Sequence, residues 1–475
     1  MTNWLPNLAQ GGGPLYLRLA DRIEHDIENG VLPEGAKLPP QRNLAFDLGV
    51  TIGTVSRAYA LVRERGLISG EVGRGTYVLE RGAAGAVPAE RRPSPASRPL
   101  DGTRELDAAA EKLRFDATAA PDVGQGETIA ALSARINRAH LQEMASYTRT
   151  YPEHWLSAGS RWLARGAFRP SAQDIVPTLG AHAAVVAVIA ATTSPGDHIA
   201  FEHLTYSQVA RSASLIGRRV TLVESDAQGM VPEELERVCA QRHPKMVFLM
   251  PAAQNPTVAT LPRERRIAIA EIARKHNVWL IEDNLYGALA ADPQPVLAEL
   301  APERTFHVGG LSKSVAAGVR GGWIACPPNY ARRVQVAHRM LTGGLPFMLT
   351  ELSAQLVLSG EADTIREKCI AENNARLALA RRALSGYSAR MSANVPFIWL
   401  ELPEPWLSGT FKNAASGEGV LIDDADEFKA GRSDRVFHHV RIGISAPRSR
   451  EETAHGLSVI RRLMEEGSAG YDSLD

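Results

Sequence analysis

Lys313 stands in a short polar turn whose residue types suit covalent chemistry. The turn, Leu-Ser-Lys-Ser at 311–314, follows a predicted buried strand at 305–308 and a Gly-Gly break. A lysine amine in a partly desolvated site can form a Schiff base with an aldehyde. Ser312 and Arg320 could hold an anion beside it, because a guanidinium matches phosphate oxygens. On this stretch alone, an ordinary surface lysine in a Gly/Ser loop is an equally good interpretation.

Other polar and aromatic residues follow predicted strands in the same part of the chain. Asp283 ends a buried run, where a carboxylate facing a pyridine nitrogen would keep that nitrogen protonated. Asn255 and Tyr286 also follow strands, and Tyr206 offers a flat ring for stacking. The start of a predicted buried helix at 181–191 suits phosphate, since helix N-termini carry unpaired N–H groups. Taken singly, each residue is as well explained as a helix cap or a core residue.

Strand-like runs alternate with helical stretches through this part of the chain. The predicted strands are 198–202, 219–224, 246–250, 278–282, 305–308 and 322–325. Such alternation predicts an α/β unit with a mainly parallel sheet and helices on both faces. Ligands of these sheets bind at the carboxyl ends of the strands, where the polar residues above lie.

The order and spacing of these residues resemble the fold-type I pyridoxal-phosphate aminotransferases over most of 115–464. The resemblance implies that Lys313 is the catalytic Schiff-base lysine for pyridoxal 5'-phosphate and that Asp283 pairs with its ring nitrogen. It implies that Asn255 and Tyr286 hydrogen-bond the ring oxygen and that Tyr206 stacks on the ring. The implied phosphate contacts are Ala181, His182, Ser312 and Arg320. No metal is implied.

The same resemblance assigns an effector contact and shows three departures. Arg441 matches the arginine that grips a substrate carboxylate, so it is the implied effector-binding residue. Gly310 stands where the family often has Ser or Thr, which removes one hydroxyl contact to phosphate, and Ala317 replaces a common proline. The segment 146–165 lacks the usual glycine-rich loop and Leu-Arg pair, which leaves the substrate side undefined.

Upstream lies a small unit with the pattern helix, turn, helix, hairpin. Leu15, Leu19, Ile23 and Ile27 recur at helical spacing. The predicted elements are a helix over 15–27, a second opening at 38–42, a third over 52–65, and strands at 67–69 and 75–79. A helical cap is one interpretation of this pattern. The other is a winged helix-turn-helix, whose second motif helix enters the DNA major groove.

This unit resembles the winged-helix domain of the GntR regulators. The matching residues are Gly35, Leu38, Pro39, Arg42, Leu44, Ala45, Thr54, Val55, Ala58, Tyr59, Gly66, Leu67, Gly73, Gly75, Thr76 and Val78. Ile52 departs, because the family usually has an arginine there. The expected DNA-binding residues are therefore Arg42, Thr51, Thr54, Arg57 and Arg74.

Length and composition set the domain organisation. At about 150 residues per domain, 475 residues imply about three units. We expect a DNA-binding domain at 10–80, a Pro/Ala/Arg-rich linker at 81–111 and an aminotransferase-like domain at 112–475, with a small lobe from about 339. The proline-rich linker is expected to be extended.

Charge and cysteine content bound the partners and the compartment. The formal net charge is +0, so DNA binding must come from a local patch. Three scattered cysteines fit a reducing compartment and argue against a disulfide framework or a metal knuckle. No apolar run is long enough to span a membrane, and residues 1–13 lack a signal-peptide pattern. We expect a soluble, cytoplasmic protein.

A GntR-type winged helix, a long linker and an aminotransferase-like unit in one chain resemble the MocR subgroup of GntR regulators. The resemblance implies a homodimeric transcription factor that binds double-stranded DNA. Its implied signal is pyridoxal phosphate, or an external aldimine of that cofactor with a small amine or amino-acid effector. The alternative is a catalytically active aminotransferase with an appended winged helix, which steady transamination would reveal.

Overall fold

The computed structural model describes residues 4–6, 15–48, 50, 52–71, 75–79, 112–404, 406–433 and 435–466. The chain divides into two compact units, residues 1–104 and 105–475. The predicted linker, 81–111, lies outside the described residues. The domain boundaries at 80, 111 and 339 therefore stay predictions.

The described residues of the first unit form three helices and a two-stranded antiparallel sheet, as the sequence pattern predicts. The elements are α1 (Leu15–Glu28), α2 (Gln41–Asp47), α3 (Ile52–Glu64), β1 (Ile68–Glu71) and β2 (Gly75–Val78). Leu19, Ile23, Val55 and Val62 are fully buried in its core. The buried Tyr59 hydroxyl donates to the Pro39 carbonyl at 2.8 Å, which fixes α3 against the chain that enters α2.

The second unit is an α/β structure with a large sheet and a smaller one. Its strands are β3 (Leu113–Arg114), β4 (Ile175–Thr178), β5 (His198–Glu202), β6 (Arg219–Val223), β7 (Ser225–Asp226), β8 (Gly229–Met230), β9 (Met246–Leu249), β10 (Trp279–Asp283), β11 (Thr305–Gly310), β12 (Gly322–Ala325), β13 (Ala389–Arg390), β14 (Phe397–Glu401), β15 (Val420–Leu421), β16 (Asp423–Asp424) and β17 (His439–Gly443).

The helices of the second unit pack on both faces of the large sheet and around the small one. They are α4 (Gln125–Ala139), α5 (Leu141–Met144), α6 (Glu153–Leu163), α7 (Gly180–Thr192), α8 (Ser207–Leu215), α9 (Pro232–Arg242), α10 (Arg263–His276), α11 (Leu297–Leu300), α12 (Ala331–Thr342), α13 (Phe347–Leu358), α14 (Glu361–Ala383), α15 (Ser408–Gly417) and α16 (Arg450–Glu466). In the described part of the chain, no helix is long and apolar enough to cross a membrane.

The large sheet has seven strands in the order β4-β12-β11-β10-β9-β5-β6. β4, β11, β10, β9, β5 and β6 all run in one direction, and β12 is antiparallel to both of its neighbours, β11 and β4. The six predicted strands are present within one or two residues. The sequence pattern does not predict β4. This edge strand contains Pro177, and proline is excluded from central strands.

The predicted break at Gly309 and Gly310 is wrong, because both residues continue β11. They pair with Trp323 and Gly322 of the antiparallel β12. A Cβ atom on Gly310 would lie 2.7 Å from the Gly321 carbonyl oxygen, so only glycine fits this approach. The two glycines allow close strand pairing and do not terminate the strand.

The two faces of the large sheet are buried in different ways. α7 lies between the sheet and α12, which explains why apolar residues surround most of the helix. Val185, Val188 and Ile189 are fully buried. On the other face, α6 presses on β4 and β12 through Trp155 and Trp162. These layers hold the strand ends rigidly in position.

The small sheet has the order β13-β14-β17-β16 and its own apolar core. Phe115, from the start of the second unit, is fully buried in this core together with Ile398 and Ile442. A Cβ atom on Gly456 of α16 would lie 2.2 Å from the Phe115 ring. The first residues of the unit are thus built into the core of its last sheet.

The close packing of α6 on the sheet leads to a stability prediction. A Cβ atom on Gly159 would lie 2.4 Å from the Trp323 ring and 2.6 Å from Ile175. We expect Gly159→Ala to lower the free energy of unfolding by about 1–3 kcal/mol, since overpacking forces the surrounding side chains to shift. Thermal unfolding of the full chain measures the effect.

The matched control is Gly126→Ala, also in a helix, where a Cβ atom would meet nothing within 4 Å. This change should be neutral or stabilise by up to about 1 kcal/mol, because alanine favours helix. Equal melting temperatures for the two variants would contradict the packing argument.

Candidate functional site

The predicted cofactor residues follow the ends of five strands that run parallel in the large sheet. Ala181 and His182 follow β4, Tyr206 follows β5, Asn255 follows β9, Asp283 ends β10 and Lys313 follows β11. The carboxyl ends of parallel strands share one edge of a sheet, where ligands of α/β proteins bind. Residues distant in sequence therefore meet at this edge.

Lys313 lies beside two hydroxyl groups. Its Nζ donates to Thr118 Oγ1 at 3.2 Å and lies 5.8 Å from the centre of the Tyr286 ring. The Tyr286 hydroxyl lies 2.7 Å from the same Thr118 oxygen. Tyr286 and Thr118 are buried, whereas Lys313 is half-buried.

Asp283 is a buried carboxyl group at the end of β10. Its Oδ1 accepts a hydrogen bond from the Leu285 backbone at 3.1 Å. Burial raises the pKa of Asp283 to about 6, although the Leu285 N–H and the charge of Lys313 oppose the rise. A carboxyl group in this state gains from a cationic partner, since the partner would stabilise its ionised form.

The start of α7 forms the other end of the site. The His182 ring contacts the Tyr206 ring edge-on at 5.9 Å, and its Nε2 lies 3.1 Å from Ser212 Oγ. His182 Nδ1 is buried without a hydrogen-bond partner among the described residues. Burial and the charge of Arg320 lower the pKa of His182. A neutral imidazole beside a guanidinium leaves this end cationic overall.

Arg320 lines a cleft with Thr178 and Leu179, the residues that lead into α7. Its backbone has a φ of 57°, in the left-handed region that non-glycine residues seldom adopt. The guanidinium, the N–H groups at the start of α7 and the half-buried Ser312 suit an anion such as phosphate. Gly310 offers no hydroxyl group, because the crowding against Gly321 leaves no room for a side chain.

Arg441, on β17, is buried and holds acceptors from three separate segments. Nη1 donates to Asn255 Oδ1 at 2.8 Å, and Nη2 donates to the Asp116 carbonyl oxygen at 3.1 Å. Nη2 also donates to Asp423, its cross-strand partner on β16, in a short ion pair. Asn255 is also the predicted hydrogen-bond partner of the ring oxygen. It would therefore contact both the ring and Arg441.

The segment 113–121 connects the small sheet to Lys313. Leu113 N donates to the Gly419 carbonyl at 2.8 Å, and Gly443 N donates to the Phe115 carbonyl at 2.7 Å. Further along, Thr118 contacts Lys313, and Ala120 N donates to the Ser312 carbonyl at 3.1 Å. One continuous stretch thus contacts the last sheet of the unit and the lysine turn.

The segment 146–165, which departs from the aminotransferase pattern, supplies α6 and core packing. The Trp155 indole donates to Glu351 Oε2 at 2.6 Å, and His154 Nε2 lies 2.7 Å from the same oxygen. Glu351 is buried. His154 and Trp155 therefore satisfy a buried carboxylate on α13.

The structure describes only part of the expected DNA surface. Thr54 and Arg57 lie on α3, with Arg57 exposed and its guanidinium 5.1 Å from the centre of the Tyr16 ring. Thr51, Arg74 and the side chains of Arg42 and Ile52 lie outside the described residues. The two described residues are one helical turn apart on the same face.

Two residues of the site were missed by the sequence reading. Thr118 precedes the first long helix of the unit, in a stretch without periodicity. Asp423 lies in a two-residue strand, within a run of acidic residues that reads as a solvated loop. Charge complementarity with Arg441 was the available signal for Asp423, but only the sheet register pairs the two residues.

Both units match known protein families. Residues 115–391 match the aminotransferase class I and II family. Residues 15–78 match the gntR family of bacterial regulatory proteins.

The chain also resembles whole proteins. It is 31% identical to the uncharacterized HTH-type transcriptional regulator YdeF of Bacillus subtilis, over 98% of this chain and 97% of that one. It is 25% identical to the probable rhizopine catabolism regulatory protein MocR of Rhizobium meliloti, over 67% and 66% of the two chains. Both relatives carry regulator names.

The second unit has the fold of solved aminotransferases. An archaeal alanine:glyoxylate aminotransferase superposes with a TM-score of 0.69 at 21% identity, covering 75% of this chain and 92% of that one. This likeness establishes the fold of the unit.

The buried carboxyl group of Asp283 gives a pH prediction for the protein without bound ligand. Its folded pKa of about 6 exceeds the ordinary value of 3.8, so the folded state binds more protons between about pH 4 and 6. Stability from this group is therefore lost as pH rises through that window. Asp283→Asn should be more stable than wild type by about 2–3 kcal/mol above pH 6 and equal to it near pH 4.

Thermal unfolding at pH 4.5 and pH 8 measures this difference. Asp122→Asn is the control, because Asp122 is exposed and also accepts a backbone N–H two residues on, at 3.0 Å. As a surface substitution it should change the free energy of unfolding by less than about 0.5 kcal/mol. A pH-independent effect of Asp283→Asn would show that burial does not hold this carboxyl group protonated.

Proposed function

This chain belongs to the MocR-type HTH transcriptional regulators, in which a gntR-family domain precedes an aminotransferase class I and II domain, and we propose that it regulates transcription in response to an amine sensed at pyridoxal phosphate. The first unit binds operator DNA. The second unit holds the cofactor and receives the effector. The contact of Lys313 with the Thr118–Tyr286 pair beside buried Asp283 is the observation that carries this proposal.

The residues of the second unit fit this cofactor. Pyridoxal phosphate supplies an aldehyde that condenses with a primary amine. Lys313 provides such an amine, half-buried and close to two hydroxyl groups that can orient it. Asp283 pairs with the protonated ring nitrogen, which explains why a carboxyl group is kept buried at a strand end.

The remaining contacts divide between the ring and the phosphate. Tyr206 stacks on the ring, and Asn255 with Tyr286 hydrogen-bonds its oxygen. The phosphate contacts are the backbone at Ala181, the side chains of His182, Ser312 and Arg320, and the dipole of α7. The unpartnered His182 Nδ1 supports this role, since a buried imidazole nitrogen without a partner costs free energy until a ligand binds it.

The DNA-binding surface is the exposed face of α3 with the hairpin tip. Between residues 49 and 78, four arginines oppose two glutamates, a local excess of positive charge in a neutral chain. Arg42, Thr51, Thr54, Arg57 and Arg74 are the proposed contacts to bases and phosphates. Operator binding places the chain in the cytoplasm, which agrees with three unpaired, buried cysteines.

A homodimer is supported by an exposed apolar surface on the second unit. Its large exposed residues are Leu141, Met144 and Tyr147, followed by Val336, Met340 and Leu341 near the end of α12. Tyr147 and Arg339 line one cleft, so the two groups are neighbours. Clustered exposed apolar residues of this kind mark an interface, and symmetric dimers are the commonest soluble oligomers.

The cofactor assignment is tested by reduction. Purified protein with pyridoxal phosphate should be yellow, and borohydride should fix the cofactor covalently to Lys313. Lys313→Ala should lose the covalent adduct completely, while Lys275→Ala, an exposed lysine paired with Glu236 on the unit's surface, should keep it. Mass spectrometry of the reduced protein locates the adduct. An adduct of unchanged yield in Lys313→Ala would refute the assignment.

The DNA surface is tested by a pair of arginine variants. Arg57→Ala should weaken operator binding on the order of tenfold and reduce the salt slope by about one, as expected for a lost phosphate contact. Arg63→Ala removes the same charge from the same helix at a position on another face. It should have a smaller effect, and both variants should stay yellow. Equal losses would assign the binding to overall charge and not to this face of α3.

A further inference from the structure

We infer that the effector is a primary amine that presents no carboxylate to Arg441, because Asp423 already occupies the position of that carboxylate. The inference rests on the proposed function, in which an amine exchanges with Lys313 at the cofactor. It revises the carboxylate-gripping role that the sequence resemblance implies for Arg441. Arg441 then acts as a positioning residue for Asn255 and the surrounding strands.

The hydrogen-bond geometry of the guanidinium carries the argument. A carboxylate is gripped by two parallel N–H groups, from either Nη1 and Nη2 or Nε and Nη2. Nη2 belongs to both pairs, and both of its hydrogens are used, one on the Asp116 carbonyl oxygen at 3.1 Å and one on Asp423. A bidentate contact with an effector carboxylate therefore requires Nη2 to release an internal acceptor.

The position of Asp423 is fixed by the sheet. Asp423 and Arg441 are directly opposite each other in the antiparallel pair of β16 and β17. Directly opposed residues on one face of a sheet have Cβ atoms about 4.5–5.5 Å apart. The two side chains therefore start from the same face of the sheet and stay within reach of each other.

Burial makes it costly to replace the Asp423 carboxylate with that of an effector. The side chains of Arg441 and Asp423 are only 6% and 3% exposed, and the guanidinium lies 4.7 Å from the centre of the Phe428 ring. A second carboxylate here would place two negative charges on one buried cation. Such an arrangement disfavours ionisation of one carboxyl group or expels it.

The test compares amino acids with the amines left when their carboxylate is removed. The probes are glycine with methylamine, and phenylalanine with 2-phenylethylamine, titrated into the full-length protein loaded with pyridoxal phosphate. The change in the yellow absorbance band reports binding directly. We expect wild type to bind each amine at least as tightly as the corresponding amino acid.

Two substitutions at Asp423 should reverse this preference. Asp423→Ala opens Nη2 and leaves Arg441 cationic, so it should improve the affinity for the amino acids about tenfold or more. The amines should change by less than about twofold, because they do not contact Arg441. Asp423→Asn keeps an acceptor but removes the negative charge, and should give a smaller gain in the same direction if the alanine variant does not fold.

Asp424→Asn is the matched control. Asp424 is the next residue of β16 and lies 3.8 Å from Lys412, so the change removes the same charge without touching the Arg441 pair. It should keep the wild-type preference for amines.

Each outcome is decisive. The inference is overturned if wild type binds the amino acids more tightly than the amines, or if the Asp423 variants keep the wild-type ratio. An intact yellow band that responds to none of the probes would overturn both the inference and amine sensing. A protein that binds no pyridoxal phosphate would instead refute the cofactor assignment on which both depend.

Discussion

The second unit depends on one constraint, that five parallel strands end at the same edge of a seven-stranded sheet. Each strand end carries a polar group that the apolar layers cannot accommodate, and the shared edge brings these groups together. Burying such a group is unfavourable for its charged form, as Asp283 shows, because burial raises its pKa to about 6. A site of this kind is completed by a ligand that is cationic at one end and anionic at the other, and the start of α7 with Arg320 suits the anionic end.

Most of this arrangement follows from the sequence, because strands, buried helices and the residues after them leave local patterns. Lys313 and Asp283 were found in this way, as was the winged helix. What local patterns do not specify is which distant residues become neighbours. Asp423 is recognisable only once β16 is known to pair with β17, and Thr118 only once its segment is known to reach Lys313. The edge strand β4 was missed because Pro177 contradicts the usual composition of a strand.

Arg441 stands at the position of the family's carboxylate-binding arginine, and its hydrogen bonds in this structure go to residues of the same chain. Its chain position and β-strand context match the resemblance, whereas its partners are Asn255, Asp116 and Asp423. A buried cation with this many internal acceptors joins the small sheet to the large one. Removing it would leave Asp423 buried and unpaired, which is strongly destabilising. Substitution of Asp423 leaves the buried guanidinium with its neutral acceptors, Asn255 and the Asp116 carbonyl, but without its charge partner, so it also lowers stability.

The segment 113–121 has a mechanical consequence. It is hydrogen-bonded to the β15 region at Leu113 and Phe115, to β17 of the small sheet at Phe115, and to the lysine turn at Thr118 and Ala120. It is the first described stretch after the linker region. Thr118 lies six residues after position 112, a span of at most about 22 Å when extended. Because its anchor points are this closely spaced, the stretch can extend very little further. Tension on the chain at residue 112 is therefore borne first by the backbone hydrogen bonds of Leu113 and Phe115, and only a displacement that breaks them would load the contact between Thr118 and Lys313.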